Sequence, residues 1–209
     1  MEERIVPNQD KMITYPARPT NGGPIDKVTV PKKGKWFYEP KYNGWRALVH
    51  VPTGRMWNRQ DKPLTIKSHF KVALAQLKET DLEWADCEAL ERRHSIGRGS
   101  LIVFDYPMIP NCEWFFRKLV IEQSGLPNIG DLKAPPKPGA YTCPVITEDM
   151  IDPHSLRGGY WQSMKEFNEL EGCEFFEGLV AKKADSKYPL QLRDPDEKYA
   201  YWIKHRFKA

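Results

Sequence analysis

The chain contains 209 residues, of which 40% are hydrophobic, 29% charged and 12% aromatic, and its formal net charge is +4. This length allows one domain with a sizeable core rather than two, and the composition excludes a disordered chain. No apolar run approaches the roughly 18 residues of a membrane span and no secretion signal is present, so we expect a cytoplasmic protein that does not bind a membrane.

The first 34 residues contain repeated prolines and glycines with little hydrophobic periodicity. This composition predicts an extended N-terminal arm, because proline and glycine interrupt regular elements. The residue composition changes at Lys35, after which aromatic and β-branched residues become frequent. We therefore predict a domain over residues 35–209, preceded by the arm at residues 1–34.

The domain alternates between strand-like and helix-like stretches. Short aromatic and β-branched runs predict strands at residues 36–38, 47–51, 82–90, 100–108, 174–183 and 199–207. Amphipathic spacing, with Phe70, Leu74 and Leu77 on one face, predicts a helix at residues 67–79, and further helices are predicted at 113–124 and 162–170. A Pro-rich connector occupies residues 132–139. Because these elements mix without regular βαβ alternation, we expect an α+β domain with largely antiparallel sheets flanked by helices.

Several polar motifs, none of them decisive alone, are informative because of the order in which they occur. Residues 41–46, KYNGWR, follow YEP and precede ALVH. Downstream come WNRQDKPLT at 57–65, DCE at 86–88, VFDY at 103–106, EGLVAK at 177–182 with SKY at 186–188, and WIKHR at 202–206. This series resembles the motifs of the covalent nucleotidyltransferases, the superfamily of ATP-dependent DNA ligases, RNA ligases and mRNA capping enzymes. The stretch around Lys41 is most similar to that of the DNA ligases.

The resemblance implies an ATP-grasp-like nucleotidyltransferase (adenylation) domain with ATP as co-substrate and Mg²⁺ as metal. It implies a DNA ligase that seals nicks in duplex DNA, as DNA repair, replication and recombination require. Its three steps are adenylylation of a lysine, transfer of AMP to a 5′-phosphate, and attack by the neighbouring 3′-hydroxyl. An RNA ligase is the first alternative, followed by a capping-type enzyme that transfers GMP and by a non-catalytic nucleic-acid-binding module.

The resemblance makes Lys41 the nucleophile that carries AMP. An amine attacking the α-phosphate must be uncharged, and nearby cations or desolvation favour that form. Lys204, Arg206 and a bound metal would supply the cations, and they would also neutralise the α-phosphate and the departing pyrophosphate. Glu88 and Glu177 offer hard oxygen ligands or anchors for Mg²⁺, and the resemblance adds a ribose contact for Glu88.

The remaining predicted site residues surround the nucleotide. Phe104 offers an aromatic face to adenine, and Glu39 lies where ligases recognise the edge of the base. Arg46 and Arg59 would bind phosphate, first on the nucleotide and later at the 5′ end of the nick. Lys182 completes the nucleotide-binding set implied by the EGLVAK motif.

Two positions depart from the family pattern, and one motif has a simpler interpretation. Asn43 stands where the family usually has Asp, which removes a negative charge beside Lys41, so the tuning of lysine or metal is expected to differ. Cys87 replaces a glycine, so the backbone there must accommodate a Cβ atom. Asn43-Gly44 also fits a type I′ hairpin turn, which would give the motif a purely structural role.

The chain ends three residues after Arg206, so we expect no OB-fold domain of the kind that usually follows in DNA ligases. Three explanations are an excised domain, a reduced enzyme, and a partner protein or separate OB-type domain that supplies the missing functions. The arm lysines Lys27, Lys32, Lys33 and Lys35 would compensate if they touch the DNA backbone, and otherwise they belong to a solvated arm. We expect the protein itself to be a monomer.

Overall fold

The computed structural model describes residues 17–24, 33–91, 93, 95–107, 111–129, 136–146, 160–190 and 198–207. These residues form nine strands: β1 (Pro19–Pro24), β2 (Trp36–Tyr42), β3 (Trp45–His50), β4 (Arg55–Trp57), β5 (Trp84–Leu90), β6 (Ser100–Asp105), β7 (Ala140–Thr142), β8 (Phe176–Lys183) and β9 (Tyr199–Arg206). They also form three α-helices: α1 (Lys71–Lys78), α2 (Trp114–Gln123) and α3 (Tyr160–Leu170). This mixture confirms the predicted α+β class.

The described strands are arranged in two sheets. The first sheet has the order β1-β9-β8-β2 and the second has the order β4-β3-β5-β6-β7. Among the described strands, only the pairs β1–β9 and β6–β7 are parallel, which agrees with the predicted largely antiparallel arrangement. The sequence motifs are therefore distributed over both sheets.

Each sheet has its own helices and hydrophobic core. On the second sheet, Ala47 and Val103 pack with Phe70, Ala73 and Leu77 from the segment around α1. Phe70 belongs to a short 3-10 helix, Lys67–Phe70, that leads into α1. Of the predicted apolar face, Phe70 and Leu77 are fully buried, Leu74 is only partly buried, and Ala73 is buried beside them.

The first sheet is covered by α3. Tyr38 and Leu179 pack there with Met164 and Phe167 of the helix. A third cluster, which contains Leu48, Trp57, Trp84 and Trp202, joins the two sheets. The motif residues lie beside this junction.

The link between β2 and β3 is the corner where the chain passes from one sheet to the other. β2 pairs with β8, whereas β3 pairs with β4 and β5. Neither Asn43 nor Gly44 has a positive φ angle, so the type I′ hairpin interpretation of Asn43-Gly44 is wrong. A Cβ atom at Gly44 would lie 2.6 Å from the Ala89 carbonyl oxygen and 2.9 Å from the Glu88 side chain. Glycine is needed at this corner because β5 approaches it closely.

The predicted elements agree with the structure except at three short strands and several boundaries. β1, β4 and β7 were not predicted, because each is short or rich in proline and glycine. β2 extends beyond residue 38 to Tyr42, which places Lys41 inside a strand.

Part of the predicted N-terminal arm is described. Residues 19–24 form β1, which is paired in parallel with β9. Residues 1–16 and 25–32, including Lys27 and Lys32, lie outside the described residues, as do residues 132–135 of the Pro-rich connector. The domain boundary at residue 34 stays a prediction. No helix in the described part of the chain is long and apolar enough to cross a membrane.

Candidate active site

A pocket of about 420 Å³ lies between the two sheets. Its walls come from β2, β8 and β9 of the first sheet, from β3, β5 and β6 of the second, and from the segments that precede β1 and follow β4. Every predicted site residue lines this pocket: Glu39, Lys41, Arg46, Arg59, Glu88, Phe104, Glu177, Lys182, Lys204 and Arg206. The fold thus brings together residues that are far apart in the sequence.

Lys41 lies on β2, directly opposite Gly178 on β8, which in turn is opposite Arg206 on β9. Its ammonium group donates a hydrogen bond to a carboxylate oxygen of Glu177. Gly178 has a φ angle of +146°, and a Cβ atom there would lie 1.9 Å from the His205 carbonyl oxygen. Glycine is therefore required on β8 at the position that pairs with Lys41 on one side and with Arg206 of β9 on the other.

Glu177 is surrounded by cations. Besides Lys41, it has the Arg206 guanidinium 3.3 Å away and the Arg93 guanidinium 3.7 Å away. Partial burial alone would raise the pKa of Glu177, but the positive charges of Lys41, Arg206 and Arg93 lower it below its ordinary value. The carboxylate is therefore ionised at neutral pH and holds the Lys41 ammonium in place.

Glu88 is the second carboxylate near Lys41. One of its oxygens accepts a hydrogen bond from the Gly44 amide at 2.9 Å. Burial raises the pKa of Glu88, and the charges of Lys41 and Arg46 counteract only part of that effect. Its environment favours binding of a cation or of a hydroxyl group, because either would compensate for the lost solvation of the carboxylate.

The carboxylates suit a particular kind of metal site. Within the described residues, no group of three or more His, Cys, Asp or Glu side chains is placed to hold an ion. Glu88 and Glu177 both line the pocket beside Lys41. Two carboxylates fit Mg²⁺, which commonly keeps water molecules and takes phosphate oxygens as further ligands, better than they fit a metal that needs a complete protein cage.

Arg46 is oriented by a buried partner. Its guanidinium makes a two-pronged ion pair with Asp86, which also accepts a hydrogen bond from the Tyr188 hydroxyl. The guanidinium carbon lies 4.6 Å from the centre of the Phe104 ring. Asp86 thus fixes Arg46 against the aromatic side chain that was predicted to stack on adenine.

Glu39 is clamped between two buried lysines. The Lys182 ammonium lies 2.7 Å from one carboxylate oxygen and the Lys118 ammonium lies 3.1 Å from the other. Lys182 also donates to the Phe104 carbonyl oxygen at 2.8 Å, and Lys118 donates to the Cys143 carbonyl oxygen. The orientation of Glu39 is therefore set by both helix α2 and strand β8.

Lys204 and Arg206 project from one face of β9 into the pocket, while His205 between them is buried on the opposite face. Burial lowers the pKa of Lys204, and the charges of Arg206, Lys41 and Arg18 lower it further. Cations therefore crowd this side of the pocket.

The charge of the pocket wall is strongly positive. Among the described residues that line it, eight are cationic and three are carboxylates, a net excess of five positive charges. The cations are Arg18, Lys41, Arg46, Arg59, Arg93, Lys182, Lys204 and Arg206, and the carboxylates are Glu39, Glu88 and Glu177. The formal net charge of the entire chain is only +4. Positive charge is thus concentrated where a polyanion such as a nucleotide triphosphate would be attracted.

Sequence reasoning missed several residues of this site. Lys118 could have been recognised, because it falls between Trp114 and Ile121 on the apolar face of a predicted helix, where a charged residue needs a buried partner. Arg93 donates to the Asn43 side-chain oxygen at 3.0 Å. Nothing in the local sequence pattern singles out Arg93 or Arg18, since only the folded chain brings them to the pocket.

Solved structures of DNA ligases share this fold. The ligase domain of LigD from M. tuberculosis superposes with a TM-score of 0.55 at 19% identity, over 92% of this chain and 59% of that one. A mycobacterial DNA ligase D in complex with ATP and MES gives 0.56 at 19% identity, over 92% and 60% of the two chains. A Chlorella virus DNA ligase-adenylate gives 0.52 at 17% identity, over 93% and 67%.

These likenesses establish the fold. The chain has the fold of a ligase nucleotidyltransferase domain, as the motif order implied, and it spans about three fifths of the length of the two mycobacterial structures. A scan against models of protein families and a search of curated proteins each found no match.

Proposed function

We propose that this chain, which has the fold of a ligase nucleotidyltransferase domain, is the catalytic domain of an ATP-dependent DNA ligase and that Lys41 carries AMP during nick sealing. One observation carries the proposal. The ammonium group of Lys41 contacts Glu177 inside a cationic pocket whose wall contains every site residue predicted from the ordered motif series. An exposed lysine on an ordinary strand would not be expected to have a carboxylate partner and several cations around it.

The first step joins Lys41 to AMP. The Lys41 nitrogen, once deprotonated, attacks the α-phosphorus of ATP; a P–N bond forms as the bond to the β-phosphate oxygen breaks and pyrophosphate leaves. Lys41 must first leave its ion pair with Glu177. In this proposal, Lys204 and Arg206, which line the pocket from β9, neutralise the α-phosphate and the leaving group.

The proposal also assigns the residues that bind the nucleotide. In this proposal, the Phe104 ring stacks on adenine, and Glu39, whose carboxylate contacts Lys118 and Lys182, accepts a hydrogen bond from the base. Glu88 and Glu177 would hold Mg²⁺, which when bound would neutralise phosphate charge. Arg46 and Arg59 contribute positive charge from the opposite sheet.

The later steps use the same pocket. An oxygen of the 5′-phosphate at a nick attacks the phosphorus of lysyl-AMP, which breaks the P–N bond and restores Lys41. The 3′-hydroxyl then attacks the 5′-phosphorus and releases AMP. Nicked duplex DNA is the proposed substrate, and the net positive charge of the pocket is consistent with successive phosphate ligands.

Intact-mass spectrometry tests the proposal directly. The wild-type protein is incubated with ATP and Mg²⁺, with GTP and with Lys41→Ala as controls. We expect the wild type to gain the mass of one adenylyl group with ATP, and neither control to gain mass. An adduct formed with GTP instead would indicate a capping-type enzyme, and no adduct on protein freed of carried-over AMP would contradict the assignment of Lys41.

A second measurement addresses the polynucleotide. Joining of a nicked DNA duplex is compared with joining of a nicked RNA duplex by the same protein preparation. We expect faster joining of DNA, whereas a preference for RNA would establish the alternative of an RNA ligase. Nucleic-acid binding that persists without any adduct or joining would favour a non-catalytic binding module.

A further inference from the structure

Lys118 is a buried cation on α2 that belongs to none of the sequence motifs. Its side chain is only 4% exposed, and it is not one of the described residues that line the pocket. Its ammonium group nevertheless lies 3.1 Å from a carboxylate oxygen of Glu39, which does line the pocket, and it also donates to the Cys143 carbonyl oxygen. Lys118 can therefore act on a ligand through Glu39 and not by direct contact.

Lys118 is one end of a buried chain of alternating charges. The chain runs from Arg117 through Asp105, Lys182 and Glu39 to Lys118, with successive N–O distances of 2.7, 3.8, 2.7 and 3.1 Å. Each of these five side chains is at most 4% exposed. Lys182 lies between the two carboxylates, so Lys118 is the cation in this chain that Glu39 does not share with Asp105.

The two lysines hold Glu39 in one chemical state and one orientation. Burial alone would lower the pKa of Lys118, but the negative charge of Glu39 and the hydrogen bond to it raise the pKa above its ordinary value. Lys118 is therefore charged at neutral pH. Ammonium groups at both oxygens favour the ionised form of Glu39, and an ionised carboxylate accepts hydrogen bonds but cannot donate one.

An acceptor at this position would distinguish two purine bases. Adenine carries an amino group, which donates, at the ring position where guanine carries a carbonyl oxygen, which accepts. The Lys182 ammonium joins Glu39 to the neighbourhood of Phe104, because it lies 2.7 Å from the carboxylate and donates to the Phe104 carbonyl oxygen at 2.8 Å. A base stacked on Phe104 would therefore have its edge close to Glu39.

We infer that Lys118 is a positioning residue for base selection, which makes the pocket prefer adenine to guanine by holding Glu39 as an oriented, ionised acceptor. The inference rests on the proposed function, because it takes the pocket to be a nucleotide site in which Glu39 meets the base. Without Lys118, one buried oxygen of Glu39 would lose its partner. The carboxylate would then turn or take up a proton, and a protonated carboxyl group can donate to guanine.

Calorimetry with ATP and with GTP tests the inference in a Lys41→Ala background, which cannot form lysyl-AMP. The measured quantity is the ratio of the two affinities. Lys118→Met, which keeps a long side chain without the charge, should lower the preference for ATP about tenfold, in line with the loss of a hydrogen bond to a charged group. An unchanged ratio would overturn the inference.

A double-mutant cycle with Glu39→Gln shows whether Lys118 acts through Glu39. Glu39→Gln alone should also lower the preference for ATP, because the amide can donate to guanine. Adding Lys118→Met to Glu39→Gln should then change the ratio by less than about twofold, since Lys118 no longer has a carboxylate to position. A further tenfold loss in the double variant would mean that Lys118 acts by another route.

The matched control is Arg117→Met, which removes the neighbouring buried cation of α2, paired with Asp105 instead of Glu39. It should lower the melting temperature and leave the affinity ratio unchanged. If it lowers the ratio as much as Lys118→Met does, selection depends on the packing of α2 in general and the inference fails. If Lys118→Met does not fold, Lys118→Gln, which keeps a donor without the charge, takes its place, and an unchanged ratio counts against the inference in the same way.

Adduct formation by the wild type separates this inference from the proposed function. Lysyl-AMP on the wild type, together with a Lys118→Met variant that still prefers ATP, would leave the proposed function standing and remove the inference. A preference for ATP that depends on Lys118, without any adduct on Lys41, would do the reverse.

Discussion

The role proposed for Lys41 depends on the groups around it. It sits on β2 with Glu177 as its hydrogen-bond acceptor and with Lys204 and Arg206 in the same pocket. The carboxylate holds the ammonium, and the two cations are the groups that we propose bind phosphate. Positioning and charge are thus supplied by two different strands, β8 and β9.

Replacing Lys41 with arginine should separate charge from nucleophilicity. Lys41→Arg keeps a cation that can pair with Glu177, but a guanidinium stays protonated and cannot attack phosphorus. We expect no adenylyl adduct by mass spectrometry and a melting temperature close to that of the wild type. An adduct on Lys41→Arg would mean that another residue is the nucleophile.

At the scale of elements, Gly178 allows β8 and β9 to pair next to Lys41. The backbone at Gly178 leaves no room for a side chain, because its Cβ atom would overlap the His205 carbonyl. Gly125 also has a positive φ angle, of +81°, but a Cβ atom there would meet nothing within 4 Å. A side chain would be strained by the positive φ angle at both positions, but it would clash with neighbouring atoms only at Gly178.

We expect Gly178→Ala to lower the free energy of unfolding by more than about 3 kcal/mol or to prevent folding, since strain and overpacking add. Gly125→Ala should cost only about 1 kcal/mol, which is the order of the strain alone. Denaturant unfolding of both variants measures the difference. Equal losses would show that the close contact with His205 relaxes at little cost.

Helix α2 is joined to β6 by a buried ion pair. The Arg117 guanidinium donates to Asp105 at 2.7 and 3.2 Å, and both side chains are fully buried. Burial raises the pKa of Asp105, but the charges of Arg117 and Lys182 and the hydrogen bonds it accepts lower it below its ordinary value. Asp105 directly follows Phe104 on β6, so this pair fixes α2, the helix that carries Lys118, against that strand.

Asp105→Asn should reduce the free energy of unfolding at pH 7 by about 3 to 5 kcal/mol, because it leaves a buried guanidinium without its counter-charge. The contribution should depend on pH in a defined direction. Since the pKa of Asp105 is lower in the folded state, its stabilisation is complete above the ordinary value for an aspartate. It is lost as the pH falls through the lowered folded value.

Denaturant unfolding of the wild type and of Asp105→Asn from pH 7 down to pH 3 measures this dependence. The difference between the two proteins should narrow towards the acidic end. The double substitution Asp105→Leu with Arg117→Met should be less harmful than Asp105→Asn, because it removes both charges. A difference that stays constant with pH would contradict the assigned ion pair.

At the scale of the whole molecule, the site exists only when both sheets are assembled. The β2–β3 corner at Asn43-Gly44 and the aromatic cluster that contains Trp57 and Trp202 hold the two sheets against each other. Cations from both sheets line the pocket, so its charge excess is a property of the assembled domain. A nucleotide that bridges the sheets should therefore stabilise the folded chain as a unit.

ATP should raise the melting temperature of Lys41→Ala, and GTP should raise it less. Ligand that binds only the folded state adds about 2.7 kcal/mol of stability at a concentration of 100 times its Kd. The shift should shrink as salt is increased, because the pocket attracts the triphosphate through excess positive charge. Differential scanning fluorimetry at low and high salt measures both effects, and equal shifts with ATP and GTP would argue against base recognition by Glu39.

The α+β class, the helices α1, α2 and α3, and the residues that line the pocket could be predicted from sequence patterns and motif order. Amphipathic spacing was sufficient to predict α1, because Phe70 and Leu77 of the predicted face are buried at the helical period, although Leu74 is only partly buried. The site residues were identified by motif order, since each of them taken alone fits an ordinary structural role.

The partners that hold those residues, and the further residues that join them, could not be predicted because they depend on long-range packing. Segments far apart in the chain form the ion pairs of Arg46 with Asp86 and of Glu39 with Lys118. They also bring Arg18 close enough to Lys204 for its charge to act there. The Asn43-Gly44 corner was ambiguous for the same reason, because a hairpin and a passage between sheets differ in long-range pairing and not in local residue preference. Local patterns encode periodicity and turn chemistry, whereas partners across two sheets are set by packing of the whole domain.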